Sequence, residues 1–224
     1  MSNYPYTTKE KTGFPNTPKL KICGMEHNTL DVGNLLPDYL GFIFWKPSKR
    51  SFSGTMPTLP NGIKKVGVFV NETVAVITDK VKEFGLFAVQ LHGKETPEFC
   101  KELQEKATGV KIIKVFSIRD SFNFEVLESF EDVCDFYLFD TKGELPGGNG
   151  FTFDWNVLKN YPSTKPFFLS GGIGLEQTDQ IMAFLQTDTS KYCYALDINS
   201  NFEDGPGLKN IDKLKKFIAQ IKRP

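Results

Sequence analysis

Apolar residues fall into short runs with a strand's character, separated by stretches with a helix's period. β-Type runs occupy residues 20–23, 39–45, 65–70, 86–91, 110–116, 134–139, 166–169 and 192–197. Runs of this length, bounded by turn residues, read as buried strands. In between, apolar positions recur three and four apart, over 73–84 after the third strand, 97–107 after the fourth and 211–221 after the eighth. Thr96 followed by Pro97 predicts an N-cap with proline at the first helical position. Asn71 or Glu72 is the expected start of the helix after the third strand. The segments after the second and fifth strands are weaker. Residues 55–62 hold Pro57, Pro60 and Gly62, which predicts a short helix or none. Residues 1–18 are polar and aperiodic, with Pro5, Gly13, Pro15 and Pro18. They read as a flexible arm or cloning remnant outside the fold, or else as a segment laid over one end of it.

Strand starts recur about every 25 residues, the spacing of repeated βα units. Parallel neighbours need such crossovers. Eight units over residues 19–224 fit an α/β fold, a single (β/α)8 TIM barrel, as one domain. An open doubly wound sheet is the other arrangement to weigh. Against it, no G-x-G-x-x-G follows the first strand, Gly148 and Gly150 lack a third glycine, and Asn149 stands where a P-loop needs Lys.

In a barrel the chemistry belongs at the C-terminal ends of the strands. Here those ends carry Lys21, Cys23 and Gly24, then Arg50 in a loop with Lys46 and Lys49, then Asn71, His92, Asp140, Ser170 and Asp197. The seventh strand runs Phe167, Phe168, Leu169 into Ser170, Gly171, Gly172 and Gly174, with a helical pattern over 175–185. Glycines admit close approach, and amides in a first helical turn lack partners inside the helix, so this turn reads as a phosphate site. It reads equally as a tight strand-to-helix connection. Cys23 is a candidate base or nucleophile if its thiolate is favoured, or an inert buried thiol. Asp140 closes the apolar run Phe136, Tyr137, Leu138, Phe139, where partial desolvation favours the neutral form a general acid requires. Otherwise it caps its loop. The Arg50 fork suits a carboxylate, or belongs to a solvated basic loop. The glycine-rich loop 141–152 is a lid or a plain connection.

Composition narrows the class. Lys plus Arg equals Asp plus Glu at 27 each, so no positive field invites nucleic acid or an anionic membrane. No apolar run approaches the roughly 20 residues of a membrane span, and no signal peptide is evident. Cys23, Cys100, Cys134 and Cys193 are scattered, and His27 and His92 are the two histidines, so no zinc pattern arises. Reduced thiols in the cytoplasm are the expectation. Phe occurs 21 times, which predicts an aromatic core.

The strand ends, taken in order, resemble the phosphoribosylanthranilate isomerase family of tryptophan synthesis. The motifs are Lys21-Ile22-Cys23-Gly24, Gly41-Phe42-Ile43-Phe44 with Ser48-Lys49-Arg50, Val66 through Asn71, and Val89-Gln90-Leu91-His92-Gly93. They continue with Phe139-Asp140-Thr141-Lys142, Gly147-Gly148-x-Gly150, Phe153-Asp154-Trp155 and Leu169-Ser170-Gly171-Gly172. Asp197 and Ser200, then Glu203, Pro206, Gly207 and Lys209, complete the set. The resemblance implies a cofactor-free, metal-free Amadori rearrangement, with Cys23 as general base and Asp140 as general acid. It implies Arg50 as a clamp for the anthranilate carboxylate, with His92 and Asp197 as further substrate contacts. Phosphate would go to Gly171, Gly172, Asn199 and Ser200. The expected partner is a small phosphorylated substrate, and the expected assembly a monomer or homodimer. Asn201 stands where the family has glycine, and tolerance of positive φ is the expected accommodation.

Overall fold

The computed structural model of the chain describes residues 17–141 and 152–221. The expectations for residues 1–16, Lys142 and the glycines of the loop after the sixth strand lie outside them. Eight parallel strands run in sequence order: β1 (Lys19–Cys23), β2 (Tyr39–Ile43), β3 (Lys64–Phe69), β4 (Ala88–Leu91), β5 (Lys111–Ile118), β6 (Phe136–Thr141), β7 (Phe167–Leu169) and β8 (Cys193–Ile198). They close into a barrel, with β8 pairing back onto β1. Every predicted run coincides with a strand to within two residues at either end. The open doubly wound sheet is thereby excluded.

The crossovers are uneven. α1 (Thr29–Gly33) is a single turn, and no helix joins β2 to β3, as Pro57 and Pro60 foretell. α2 (Val74–Phe84) and α3 (Pro97–Lys106) are regular. Short 3-10 helices, Phe124–Phe130 and Trp155–Asn160, follow β5 and β6. After β7 a 3-10 turn, Leu175–Gln177, leads into α4 (Thr178–Phe184), so the helical stretch expected over 175–185 begins as the tighter form. Beyond β8 come a small antiparallel hairpin, β9 (Glu203–Gly205) with β10 (Leu208–Lys209), and then α5 (Ile211–Ile221). The hairpin is too short to leave a periodic signal. The start of α2 also differs from expectation. Thr73 caps it, accepting from the Val76 N–H at 3.3 Å. Asn71 instead takes a left-handed φ of 51° and accepts the Lys94 N–H at 2.6 Å, which fastens the β3 loop to the β4 loop.

Alternation along each strand sorts side chains to two sides of the wall. Outside, Leu20, Ile22, Phe42, Phe69, Phe139 and Phe167 pack beneath the helices in one apolar cluster. Inside, a second cluster of Tyr39, Val66, Ala88, Ile113, Leu138 and Phe168 fills the N-terminal half of the barrel. Aromatic rings dominate, as the Phe count predicts. The Tyr39 and Phe168 centroids stand 5.8 Å apart, and the Tyr39 hydroxyl meets that of Tyr194 at 2.7 Å. The interior is therefore plugged at one end, and a cavity is left only at the other.

The packed interior has a cost at high pH. Burial pushes the Cys100 thiol up to about 11 and the Cys134 and Cys193 thiols up to about 12. Burial likewise raises the phenols of Tyr39, Tyr137 and Tyr161. In the unfolded chain these thiols ionise near about 8.5, so above that pH the unfolded state binds fewer protons than the native one and stability falls as pH rises. Urea midpoints measured under reducing conditions should decline steadily from pH 8.5 to 11, and a midpoint that stays level across that range would contradict this account.

Candidate active site

β1 sets Lys21 and Cys23 on one face, two residues apart, pointing into the barrel. Lys21 stands in register with Asp197 of β8, and its Nζ donates to Asp197 Oδ2 at 2.8 Å. The ammonium is wholly buried. Burial works against its charge, yet Asp197 and the neighbouring Cys23 outweigh that and hold its pKa above the ordinary lysine value. Asp197 Oδ1 has no hydrogen-bond partner among the described residues. Cys23 is 5% exposed. Burial pushes its thiol up, while the cations of Lys21 and Lys209 draw it partly back. Opposite it in register lies Gly41, where a Cβ would come 2.7 Å from the sulfur.

Across the barrel, Asp140 closes β6 and accepts the Thr141 N–H at 2.9 Å. His92 follows β4, with Nε2 3.3 Å from Asp140 Oδ2. The Gln90 amide nitrogen lies 3.4 Å from His92 Nδ1. When that N–H is donated to Nδ1, the ring proton sits on Nε2, aimed at Asp140. The buried Gln90 Oε1 is unpartnered. Sequence reading placed Gln90 at a strand end without giving it a task. Its spacing of two from His92, which puts both on the inner face, was the available signal.

The rim is built from loops. Arg50 donates from Nε to Glu203 Oε1 and Oε2 at 3.0 and 2.8 Å, and its Nη2 lies 2.8 Å from Oε2. Lys209 Nζ donates to Glu203 Oε1 at 2.7 Å, to Asn199 Oδ1 at 2.7 Å and to the Asn199 carbonyl at 3.2 Å. Burial raises the Glu203 carboxyl, but Arg50 and Lys209 more than offset this and leave it below the ordinary glutamate range. Glu203 and Lys209 belong to the motifs that carry the resemblance, but nothing in the sequence announces their link to Arg50. It spans 153 residues and has no local signal. On the far rim Gly171 and Gly172 have φ of 90° and 66°, and a Cβ on Gly171 would overlap Thr141. Asn201 does not take the positive φ expected of it. It lies in the 3-10 turn Ser200–Phe202, and its side-chain amide donates to the Gly172 carbonyl at 2.7 Å, joining the two turns.

Cys23, Arg50, His92, Asp140, Gly171, Gly172, Asp197, Asn199 and Ser200 all line one cavity at the C-terminal end of the barrel. It opens to solvent, and about 700 Å³ of space, part of it bulk solvent at the mouth, lies between these residues. All nine residues singled out in the sequence are thus brought together. Trp45, Ser48, Gln90 and Ser170 line it as well. Among the described residues no group of three His, Cys, Asp or Glu is placed to hold a metal ion, and no helix is long and apolar enough to cross a membrane.

Comparison with known proteins agrees with this geometry. Residues 21–220 match the family model described as N-(5'phosphoribosyl)anthranilate (PRA) isomerase. The chain is 42% identical over 214 residues to N-(5'-phosphoribosyl)anthranilate isomerase of Parabacteroides distasonis, covering 92% of this chain and 94% of that one. Among solved structures, phosphoribosyl anthranilate isomerase from Thermotoga maritima aligns with a TM-score of 0.74 at 30% identity, covering 92% of this chain and 98% of that one. Another structure of such an isomerase, in complex with reduced 1-(o-carboxyphenylamino)-1-deoxyribulose 5-phosphate, aligns with a TM-score of 0.70 at 28% identity, covering 92% and 98%. With the match running through every strand that lines the cavity, the chain belongs to the N-(5'-phosphoribosyl)anthranilate isomerase family.

Proposed function

We propose that this chain catalyses the Amadori rearrangement of N-(5-phosphoribosyl)anthranilate to 1-(2-carboxyphenylamino)-1-deoxyribulose 5-phosphate, with Cys23 as general base and Asp140 as general acid. The barrel, residues 19–141 and 152–221 of those described, is the catalytic domain. The observation that carries the reading is that a thiol from β1 and a carboxyl from β6 open into one cavity with contrasting surroundings. Cys23 sits beside the cations of Lys21 and Lys209, which favour the thiolate a base needs. Asp140 sits on an apolar strand beside His92, with one backbone N–H on Oδ1. An acid and a base in one site need different surroundings.

Asp140 gives its proton to the furanose ring oxygen. The C1–O bond breaks, and the anthranilate nitrogen lone pair forms an iminium at C1. The C2 proton is then acidic, and the Cys23 thiolate removes it to give an enol amine. Protonation at C1 and loss of the enol O–H proton complete the ketone. The substrate's own nitrogen is the electron sink, so no cofactor enters the chemistry. His92 holds Asp140 in line, and the free Oδ1 of Asp197 accepts a sugar hydroxyl. Arg50 binds the anthranilate carboxylate. Gly171, Gly172, Asn199 and Ser200 hold the phosphate through main-chain groups.

Cys23→Ala and Asp140→Asn should each lower kcat by roughly 100- to 10,000-fold while the proteins stay folded, since that is the worth of an acid–base group. The decay of substrate fluorescence after in situ synthesis measures it, and wild-type-like turnover in either variant would remove the assigned role. Arg50→Ala should chiefly raise KM, by about tenfold or more, the value of a hydrogen bond to a charged group. A base acts in its deprotonated form, and burial raises the Cys23 pKa. The ascending limb of kcat/KM against pH should therefore extend beyond the free-thiol value of about 8.5. A limb complete by pH 7 would contradict this.

A further inference from the structure

Three buried or nearly buried charges meet behind the cavity wall: Arg50, Glu203 and Lys209, with side chains 19%, 4% and 0% exposed. Arg50 lines the cavity, whereas Glu203 and Lys209 do not. Glu203 grips the guanidinium through Nε and Nη2, which leaves the remaining Nη edge for a ligand. The same carboxylate accepts from Lys209, and Lys209 in turn holds both the carbonyl and the side-chain oxygen of Asn199, at the edge of the turn after β8. Two cations against one carboxylate leave one positive charge unmatched, directed at the cavity through Arg50. Arg50 is partly exposed and carries that charge to the cavity, where an anion from outside the chain would be favoured.

We propose that Glu203 is a positioning residue that fixes substrate specificity by setting the Arg50 guanidinium at a defined separation from the Asn199–Ser200 turn, so that the cavity selects a ligand carrying a carboxylate at one end and a phosphate at the other. The inference rests on the isomerase reading for the identity of that ligand. Glu203 touches no substrate atom. It acts through Arg50 on one side and through Lys209 and Asn199 on the other. The Lys209 backbone is itself fastened to the loop after β1, with its N–H donated to Asn28 Oδ1 at 3.0 Å and its carbonyl accepting from Asn28 Nδ2 at 2.8 Å. The link therefore runs between loops that are each anchored independently, which is what a fixed spacing requires.

Two probes separate this role from a merely structural one. The first is reduced 1-(o-carboxyphenylamino)-1-deoxyribulose 5-phosphate. The second is the same compound with aniline in place of anthranilate, which keeps the phosphate and lacks the carboxylate. Calorimetric titration of Glu203→Gln should weaken the first by about tenfold or more and leave the second within about twofold of wild type, because Lys209 keeps its bonds to Asn199 and its backbone ties to Asn28 while Arg50 loses its ion pair. Arg50→Ala combined with Glu203→Gln should bind the first probe no worse than Arg50→Ala alone. Equal weakening of both probes, or additive losses in the double variant, would overturn the proposal. If Glu203→Gln does not fold, Glu203→Asp keeps the charge and withdraws it by one methylene, and the same selective loss is expected. Failure of both variants to fold would make Glu203 a structural residue and also overturn it. A wild-type protein that binds both probes but does not turn over phosphoribosylanthranilate would count against the isomerase reading and not against this one.

Discussion

The structure depends on the closure of β8 onto β1. An exposed strand edge is a liability, and the barrel removes its edges by pairing the last strand with the first. The register at that seam, Lys21 against Asp197, sets two charges opposite each other in the interior. An unpaired lysine there would be costly, and so would an unpaired aspartate. Together they are tolerated, and a slip of one residue would separate them and turn Cys23 toward the helices. One pairing thus fixes the seam, the facing of β1 and the electrostatic setting of the sulfur.

From that seam the interior divides along its length. The N-terminal half is filled by Tyr39, Phe168 and their aliphatic neighbours, so nothing enters from below. The C-terminal half receives the polar ends of the same strands. Cys23, Gln90 and Asp140 are carried by strands β1, β4 and β6, while Arg50, Gly171, Gly172, Asn199 and Ser200 come from loops and turns. These loops are themselves tied by long-range bonds: Asn201 to Gly172, Arg50 to Glu203 and Lys209 to Asn28. Positive-φ backbone occurs at both ends of the barrel: Asn71, Gly171 and Gly172 at this one, and Leu36, Gly62, Gly85 and Gly109 ahead of strands at the other.

The strands were legible because each is a short run rich in apolar residues between polar segments, and the regular helices were legible because α2, α3 and α5 keep a strong period. The 3-10 crossovers after β5 and β6 were not, since Phe124–Phe130 and Trp155–Asn160 are too short to establish one. Site residues carried by strands, such as Cys23 and Asp140, could be read from position alone. The tie between Arg50 and Glu203 could not, because it depends on two loops that meet only after the barrel has closed. Asn201 shows the same limit. Its φ was expected to mimic the glycine it stands for, but its side chain found a partner in the Gly172 carbonyl and the backbone stayed helical.

The bare backbone of Gly41 beside the sulfur has a consequence for how this chain can change. Its missing methyl is the room the thiol occupies, so the two positions form one steric unit spread over two strands. A side chain at position 41 would meet the Cys23 sulfur at 2.7 Å and the Cys23 Cα at 3.1 Å, so it needs both the thiol and the β1 backbone to give way. Change at either position is thereby constrained by the volume of the other.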